Sequence, residues 1–226
     1  MNKKKHWETV YNTKTPQEVS WTQKYPKTSI EFIKSLKIDS SKPIIDVGGG
    51  DSHLVDVLIK EGFTDITVLD ISEKALLRAQ ERLGENSKIV SWIVCDILDF
   101  KPTKNYSIWH DRAAFHFLTE ASQIKNYTEK VNRYVSQGLV IGTFSENGPQ
   151  KCSGIKVSPN TISINLKLIS KRTLIQLKVK KKYIVLRLIL SKNLRLCALK
   201  KNLTNYFKLF NFTSNNLTPN FISFFI

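Results

Sequence analysis

Residues 42–52 of this chain read Lys-Pro-Ile-Ile-Asp-Val-Gly-Gly-Gly-Asp-Ser. The apolar run at 44–47 predicts a short buried strand, and the apolar spacing over 54–60 predicts a helix just after the glycines. Glycine has no Cβ and tolerates positive φ, so a ligand can lie directly against such a turn. The pattern indicates a nucleotide-like ligand held at the carboxyl ends of an open α/β sheet. It does not exclude a dinucleotide enzyme, which uses a similar turn.

The composition describes one globular domain with an unusual ending. The chain has 226 residues, 41% hydrophobic and 24% charged, which is enough for one domain with a sizeable core. Its net charge of +16 is unevenly spread. The first 150 residues hold 20 basic and 19 acidic residues, whereas the last 76 hold 15 basic residues and no acid. The strongly basic character therefore belongs to the tail.

The cysteines and the apolar runs bear on the compartment. Cys95, Cys152 and Cys197 show no metal-ligand spacing, so we expect free thiols, a reducing compartment and no metal site. The basic start has no apolar segment behind it, and no apolar run reaches the ~18 residues that suggest a membrane span. We predict a cytoplasmic protein with no membrane partner.

Strand and helix patterns alternate through the middle of the chain. Further strands are predicted at 65–70, 88–95, 106–109 and 138–144, and further helices at 72–84 and 121–135. In the helix that Ser72 begins, Leu76, Leu77 and Ala79 are expected to face the core. This alternation predicts an α/β fold with a doubly wound, mostly parallel sheet.

The lead-in, residues 1–40, is polar and studded with aromatic residues. Trp7 and Tyr11 lie four residues apart on one predicted helical face, and Trp21 and Tyr25 repeat that spacing. These rings either pack the lead-in onto the domain or form a lid over the glycine turn, where they would exclude water.

Acidic residues stand at the ends of three consecutive predicted strands: Asp46, Asp70 and Asp96. Asp70 lies 20 residues beyond Gly50, where an adenosine-binding α/β domain places a carboxylate for the ribose hydroxyls. A dehydrogenase needs the first two acids but has no use for Asp96. Asp70 could instead form a turn, and Asp96 could cap the following segment.

The quoted segments resemble class I S-adenosylmethionine-dependent methyltransferases over about residues 6–157. The resemblance rests on residues 45–50, 68–72 and 95–97, and it implies a Rossmann-like methyltransferase sheet with S-adenosyl-L-methionine as cofactor. It implies that the glycine turn approaches the methionine and ribose, that Asp70 takes the ribose hydroxyls, and that Asp96 and Ile97 take the adenine. The predicted cofactor-binding residues are Asp46, Gly48, Gly49, Gly50, Asp70, Ile71, Asp96, Ile97 and Trp21.

The resemblance also places the acceptor side. In that family the end of the fourth strand, here His110-Asp111-Arg112, lies near the sulfonium and the substrate. We predict Asp111, His110 and His116 as catalytic candidates, although Asp111 could cap a helix and either histidine could be a packing residue. The strand lacks the Asn/Asp-Pro-Pro-Tyr/Phe run of amide and nucleobase methylases, which disfavours methylation of nucleic-acid bases.

Residues 158–226 depart from the family pattern, which continues with an acid-containing helix and a closing antiparallel strand pair. The basic, β-prone run at 178–190 and the loss of acids leave three explanations open. A frameshift has replaced the ending, the tail is a nucleic-acid-binding appendage, or a divergent strand pair lies around 184–190. We expect a methyltransferase domain over 1–157, with the pair missing or atypical and 158–226 an atypical basic tail.

The sequence therefore predicts an S-adenosylmethionine-dependent methyltransferase (EC 2.1.1.-) with a small-molecule or protein acceptor. Two alternatives remain: a cofactor-binding but inactive product of a truncated or frameshifted chain, and a basic nucleic-acid-binding protein on the same fold. Nucleic acid is a possible partner through the tail, but it is not favoured.

Overall fold

A computed structural model describes residues 2–112, 114–144, 149–157, 173–180 and 183–190, the last two ranges by their backbone. The helices are α1 (Lys3–Thr13), α2 (Lys27–Ser35), α3 (Leu54–Lys60), α4 (Glu73–Leu83) and α5 (Ala121–Tyr134). The strands are β1 (Ile44–Val47), β2 (Ile66–Asp70), β3 (Val90–Val94), β4 (Tyr106–Asp111), β5 (Val135–Phe144), β6 (Lys151–Cys152), β7 (Ile155–Lys156), β8 (Thr173–Lys180) and β9 (Tyr183–Leu190). Short 3₁₀ turns cover Pro16–Glu18, Gly84–Ile89 and Phe115–Phe117.

Seven strands form one sheet in the order β3-β2-β1-β4-β5-β9-β8. The first five are parallel to one another, whereas β9 runs antiparallel to β5 and to β8. The strand order reverses between β1 and β4, and ligands of such sheets bind at the carboxyl ends near that point. The predicted doubly wound, mostly parallel α/β sheet is confirmed.

The β8–β9 hairpin supplies the strand pair that the sequence analysis expects to be missing or atypical. β9 pairs with β5 from Gly138 to Phe144, so the pair is present and follows the third explanation of the tail. Pairing through backbone groups does not require acidic side chains, and residues 183–190 are rich in Ile, Leu and Val, which suit a strand. The rest of the tail, 158–172, 181–182 and 191–226, lies outside the described residues, so the frameshift and the nucleic-acid appendage are untested.

Apolar side chains cover both faces of the parallel part of the sheet. Ile45, Trp109 and Leu139 are buried on one face, and Ile44 and Val68 on the other. β1, β2 and β4 are buried at every position, as expected for strands with helices on both sides.

Helix α4 begins and ends where the sequence predicts, but one of the three residues expected to face the core is exposed. Ser72 accepts a hydrogen bond from the Ala75 N–H at 3.2 Å, and Gly84 ends the helix at φ +55°. Leu76 is buried, but Leu77 is 42% exposed, so the expectation that it faces the core is wrong. Adjacent helical residues point about 100° apart, which turns Leu77 away from the buried stripe.

The lead-in is fastened to α4 by polar contacts. The Glu8 carboxylate on α1 accepts hydrogen bonds from the Glu73 and Lys74 N–H groups at 2.6 and 3.3 Å. N–H groups in the first turn of a helix have no partner within the helix, so the carboxylate satisfies two of them. The helix dipole also stabilises a negative charge at this end. Arg78 donates to the Lys14 carbonyl at 2.9 Å. α1 is thereby held against the helix that follows Asp70.

Candidate cofactor and acceptor site

The glycine turn needs glycine for two different reasons. Gly48 and Gly50 have φ of +66° and +49°, a region that side chains disfavour. Gly49 has no room for a side chain, because a Cβ there would lie 2.7 Å from Val68 Cγ1 and 2.8 Å from Asp46 Oδ2. The result is a tight backbone cradle at the end of β1.

Arg82 on α4 braces the far side of this turn. Its guanidinium donates to the carbonyls of Asp51 and Ser52, both at 2.9 Å, and pairs with the Asp56 carboxylate at 2.9 Å. A planar guanidinium can make these contacts together. The turn is therefore held from α4 as well as from the sheet.

A cavity of about 270 Å³ opens at the carboxyl edge of the sheet. It brings together most of the predicted site residues, namely Trp21, Asp46, Gly48, Gly49, Asp70, Ile71, Asp96, Ile97, His110 and His116. The described residues that line it do not include Gly50 or Asp111. Asp51 and Thr143 also line it and were not predicted, and so does Tyr11, which the sequence analysis offers only as part of a possible lid.

Asp70 ends β2 with its carboxyl buried at the cavity wall. It accepts a hydrogen bond from the Ser72 N–H at 2.8 Å and another from the Gly50 N–H, so Gly50 acts on the cavity through Asp70. Burial raises the pKa of Asp70 to about 7, with nearby Asp46 and Asp51 adding to the effect. A carboxyl whose charged form is disfavoured by burial would be stabilised by further hydrogen-bond donors from a ligand.

Asp96 occupies the matching place after β3. Its Oδ1 accepts from the Leu98 N–H at 2.9 Å, so it caps the local turn while also lining the cavity beside buried Ile97. Capping and facing the cavity, which the sequence analysis offers as alternatives, occur together here.

His110 is held at both ring nitrogens. Nδ1 lies 2.7 Å from Asp46 Oδ1 and Nε2 lies 2.9 Å from Ser29 Oγ, with all three residues buried. The imidazole thus joins α2 of the lead-in to β1. Such a fixed ring suits a positioning role, since neither nitrogen is left over for an acceptor.

Asp111 caps the turn that follows β4. It is fully buried, and its Oδ1 accepts from the N–H groups of Ala114 and Phe115 at 2.8 and 3.2 Å. Its Oδ2 accepts from the Tyr127 hydroxyl at 2.8 Å. The capping interpretation is confirmed, and because Asp111 is not among the described residues that line the cavity, its catalytic role stays a prediction. Burial raises its pKa to about 6.

The other end of the cavity is lined by aromatic rings around His116. The His116 ring lies 4.3 Å from that of Phe117 and 4.7 Å from that of Phe144, centroid to centroid. Trp7 stands edge-on to Phe117 at 5.3 Å and to Trp21 at 5.9 Å. Burial lowers the pKa of His116 to about 3, so its imidazole is neutral at neutral pH.

Tyr11 forms part of the roof from α1. A Cβ on Gly50 would lie 2.7 Å from the Tyr11 hydroxyl, and Trp21 hydrogen-bonds that hydroxyl. Burial and the nearby carboxylates of Asp70 and Asp51 raise the pKa of Tyr11 well above its ordinary value. Of the two interpretations offered for these rings, the position of Tyr11 over the glycine turn agrees with the lid.

The described residues hold neither a metal-binding cluster nor a helix that could span a membrane. Within the described ranges, no group of three His, Cys, Asp or Glu side chains could hold a metal ion. No helix in the same part of the chain has the length and apolar character to cross a bilayer. Cys95 and Cys152 are free thiols.

Several solved structures share this fold. A structure concerning conversion of a disulfide bond into a thioacetal group during echinomycin biosynthesis superposes with TM-score 0.61 and 15% identity, covering 91% of this chain and 99% of that one. The N-methyltransferase NodS from Bradyrhizobium japonicum WM9, in complex with S-adenosyl-L-homocysteine, gives 0.59 and 13%, covering 85% and 100%. The glycopeptide N-methyltransferase MtfA, complexed with sinefungin, gives 0.57 and 10%, covering 73% and 85%. At these identities the likeness concerns the fold.

Comparison of the sequence with protein-family models gives a match. No curated protein sequence matches the chain. Residues 44–138, from β1 into β5, match the family model described as a methyltransferase domain. Together with the sheet order and the glycine turn, this match supports a class I S-adenosylmethionine-dependent methyltransferase family for the chain.

Proposed function

We propose that this protein transfers the methyl group of S-adenosyl-L-methionine to a small-molecule or protein acceptor. The observation that carries the proposal is a single cavity with two chemically different ends. The glycine cradle and the carboxylates of Asp70 and Asp96 form one end, and aromatic rings with His116 form the other. A donor and an acceptor can meet in such a cavity.

The residues of the first end fit this cofactor. The two ribose hydroxyls are donors, and the buried Asp70 carboxyl at the cavity wall is an acceptor. The adenine amino group would donate to Asp96, and the methionine part would lie against Gly48 and Gly49, whose backbone lines the cavity. The cofactor supplies an electrophilic methyl group on a cationic sulfur.

The chain's own contribution is alignment and exclusion of water. Trp7, Tyr11 and Trp21 cover the cavity from the lead-in, and Arg112 holds that cover by donating to the Trp21 carbonyl at 2.8 Å. Alignment accounts for most of the rate gain in a displacement of this kind. The cluster of Asp46, Asp51 and Asp70 would favour a cationic ligand near the cradle.

Calorimetry with S-adenosyl-L-homocysteine tests the proposal. We expect a single site in the full chain, and Asp70→Ala should abolish it. Asp99→Ala is the matched control, because Asp99 is an exposed acid in the loop after β3. Absence of binding to the folded wild-type protein would reject the methyltransferase proposal.

The same protein separates the active enzyme from a cofactor-binding but inactive product. Release of S-adenosyl-L-homocysteine from S-adenosyl-L-methionine in the presence of acceptors reports turnover. Tight binding without turnover across small-molecule and protein acceptors would favour the inactive alternative.

A further inference from the structure

His116 lines the cavity and has two ring nitrogens with no partner among the described residues. Its side chain lies on the Phe115–Phe117 turn, is 4% exposed and lines the cavity. Neither ring nitrogen has a hydrogen-bond partner among the described residues. Burying an imidazole without partners costs free energy, and nearly all buried polar groups in proteins are paired. Its nitrogens are therefore suited to a partner that enters the cavity.

Two threonines repeat this observation at the same cavity. The hydroxyls of Thr22 and Thr143 are buried and unpaired within the described part of the chain, and both residues line the cavity. Thr22 follows Trp21, and Thr143 precedes Phe144, so each adjoins a residue of the aromatic wall. By contrast, both nitrogens of His110 are bonded to protein atoms. Three residues at the cavity, from three separate segments, therefore have buried polar atoms without a partner in the described part of the chain.

Among the described residues, the rings packed against His116 are those of Phe117 and Phe144, and no charged side chain shifts its pKa. Its imidazole is neutral because burial keeps its pKa near 3. A neutral imidazole offers one hydrogen-bond donor and one acceptor, as a threonine hydroxyl also does. A charged group placed here would lose its hydration, and no described side chain next to the ring offers a counter-charge.

The charged residues of the cavity lie on other elements. They are Lys3, Asp46, Asp51, Asp70, Asp96 and Arg112. The four carboxylates follow β1, β2 and β3 or belong to them, and Arg112 donates to the Trp21 carbonyl. Flat rings on several sides favour a planar apolar body between them.

We propose that the methyl acceptor is an uncharged, ring-bearing small molecule whose reacting heteroatom is hydrogen-bonded by His116. This inference rests on the proposed methyltransferase function and names its substrate class. A polypeptide acceptor is disfavoured, because His116 lies deep beneath the lead-in and an extended chain would have to displace that cover.

The reaction balances without a further reactant. A lone pair on the acceptor's heteroatom forms the bond to the methyl carbon, the methyl–sulfur bond breaks, and its electron pair stays on sulfur. The products are the methylated acceptor and S-adenosyl-L-homocysteine, and the proton of the heteroatom passes to water. His116 orients the heteroatom through a hydrogen bond, since an imidazole with so low a pKa stays neutral and is too weak a base to take the proton at neutral pH.

The test compares three sets of acceptors on the full chain. Ring-bearing probes are phenol and benzyl alcohol, their acyclic counterparts are hexanol and heptanol, all uncharged at neutral pH, and the third set is a pool of lysine-containing peptides. Release of S-adenosyl-L-homocysteine is measured for each. We expect turnover of at least one ring-bearing probe, with kcat/KM about tenfold or more above that of its acyclic counterpart.

Variants then assign the hydrogen bond to His116. His116→Phe should lower kcat/KM for the preferred probe by about tenfold or more, because the heteroatom loses its partner. His116→Asn, which keeps a donor and an acceptor, should restore part of that loss. Calorimetry should show S-adenosyl-L-homocysteine binding within about twofold of wild type in both. His53→Phe is the control, because His53 is a half-buried histidine that does not line the cavity.

The outcomes are distinguishable. Failure of the wild-type protein to bind S-adenosyl-L-homocysteine would overturn the proposed function and this inference with it. Binding without turnover of any ring-bearing probe, turnover of the peptides alone, or a His116→Phe variant with unchanged kinetics would overturn the inference and leave the methyltransferase proposal standing.

Discussion

Asp70 predicts a pH dependence of cofactor-product binding. The pKa of its buried carboxyl is raised from 3.8 to about 7, chiefly by loss of hydration. Ribose hydroxyls donate hydrogen bonds and therefore favour the ionised carboxylate. Binding then requires Asp70 to be deprotonated, so affinity is full above pH 7 and falls as the pH drops through 7.

The magnitude follows from the pKa. One unit below it, about one tenth of the carboxyl is ionised, and restoring the charge costs ~1.4 kcal/mol. We expect the Kd for S-adenosyl-L-homocysteine to be about tenfold weaker at pH 6 than at pH 8.

Calorimetry at pH 6, 7 and 8 measures this dependence. Asp70→Asn is the matched control, since its amide does not titrate and any dependence left in it belongs to other groups. A wild-type Kd that stays constant from pH 8 to pH 6, or an equal dependence in Asp70→Asn, would refute the reasoning.

Substitutions at four further positions separate effects on stability from effects on binding. Asp111→Ala should lower the free energy of unfolding by about 2–4 kcal/mol in denaturant titration, because two N–H groups and the Tyr127 hydroxyl lose their acceptor. The folded variant should bind S-adenosyl-L-homocysteine normally, and lost affinity at unchanged stability would contradict the capping role. Gly49→Ala should remove binding and cost about 1–3 kcal/mol of stability through overpacking. Gly84→Ala, whose site is strained but open, should cost about 1 kcal/mol and spare binding. Arg82→Met should weaken binding by about fivefold by freeing the turn carbonyls, and Arg82→Lys should not restore it, which calorimetry can check.

The glycine turn and the strand-end acids could be predicted because they depend on local sequence. A strand, a turn and a helix within a short segment fix where Asp46, Asp70 and Asp96 stand along the sheet edge. The contacts of these acids depend on distant segments. Ser29 meets His110 only because α2 packs beside β4, and Glu8 meets α4 only when the lead-in folds back.

The roles of His110 and Asp111 could not be separated by pattern. β4 is buried at every position, so the usual alternation of apolar and polar residues does not show which side chain faces the cavity. The strand pair in the tail was difficult to predict because the composition of the tail drew attention away from it. Composition suggested an altered ending, yet the β8–β9 pairing depends on backbone hydrogen bonds and on residue types that suit strands.

The contact between Tyr11 and Gly50 couples the substitutions that these two distant positions can accept. The tyrosine hydroxyl occupies the space that any side chain at position 50 would need. A change at one position therefore alters which residues the other can accept, and effects of substitutions there should not add. Relatives that have lost the aromatic lead-in would be released from part of this constraint. The glycine run of such relatives could drift where this chain's cannot.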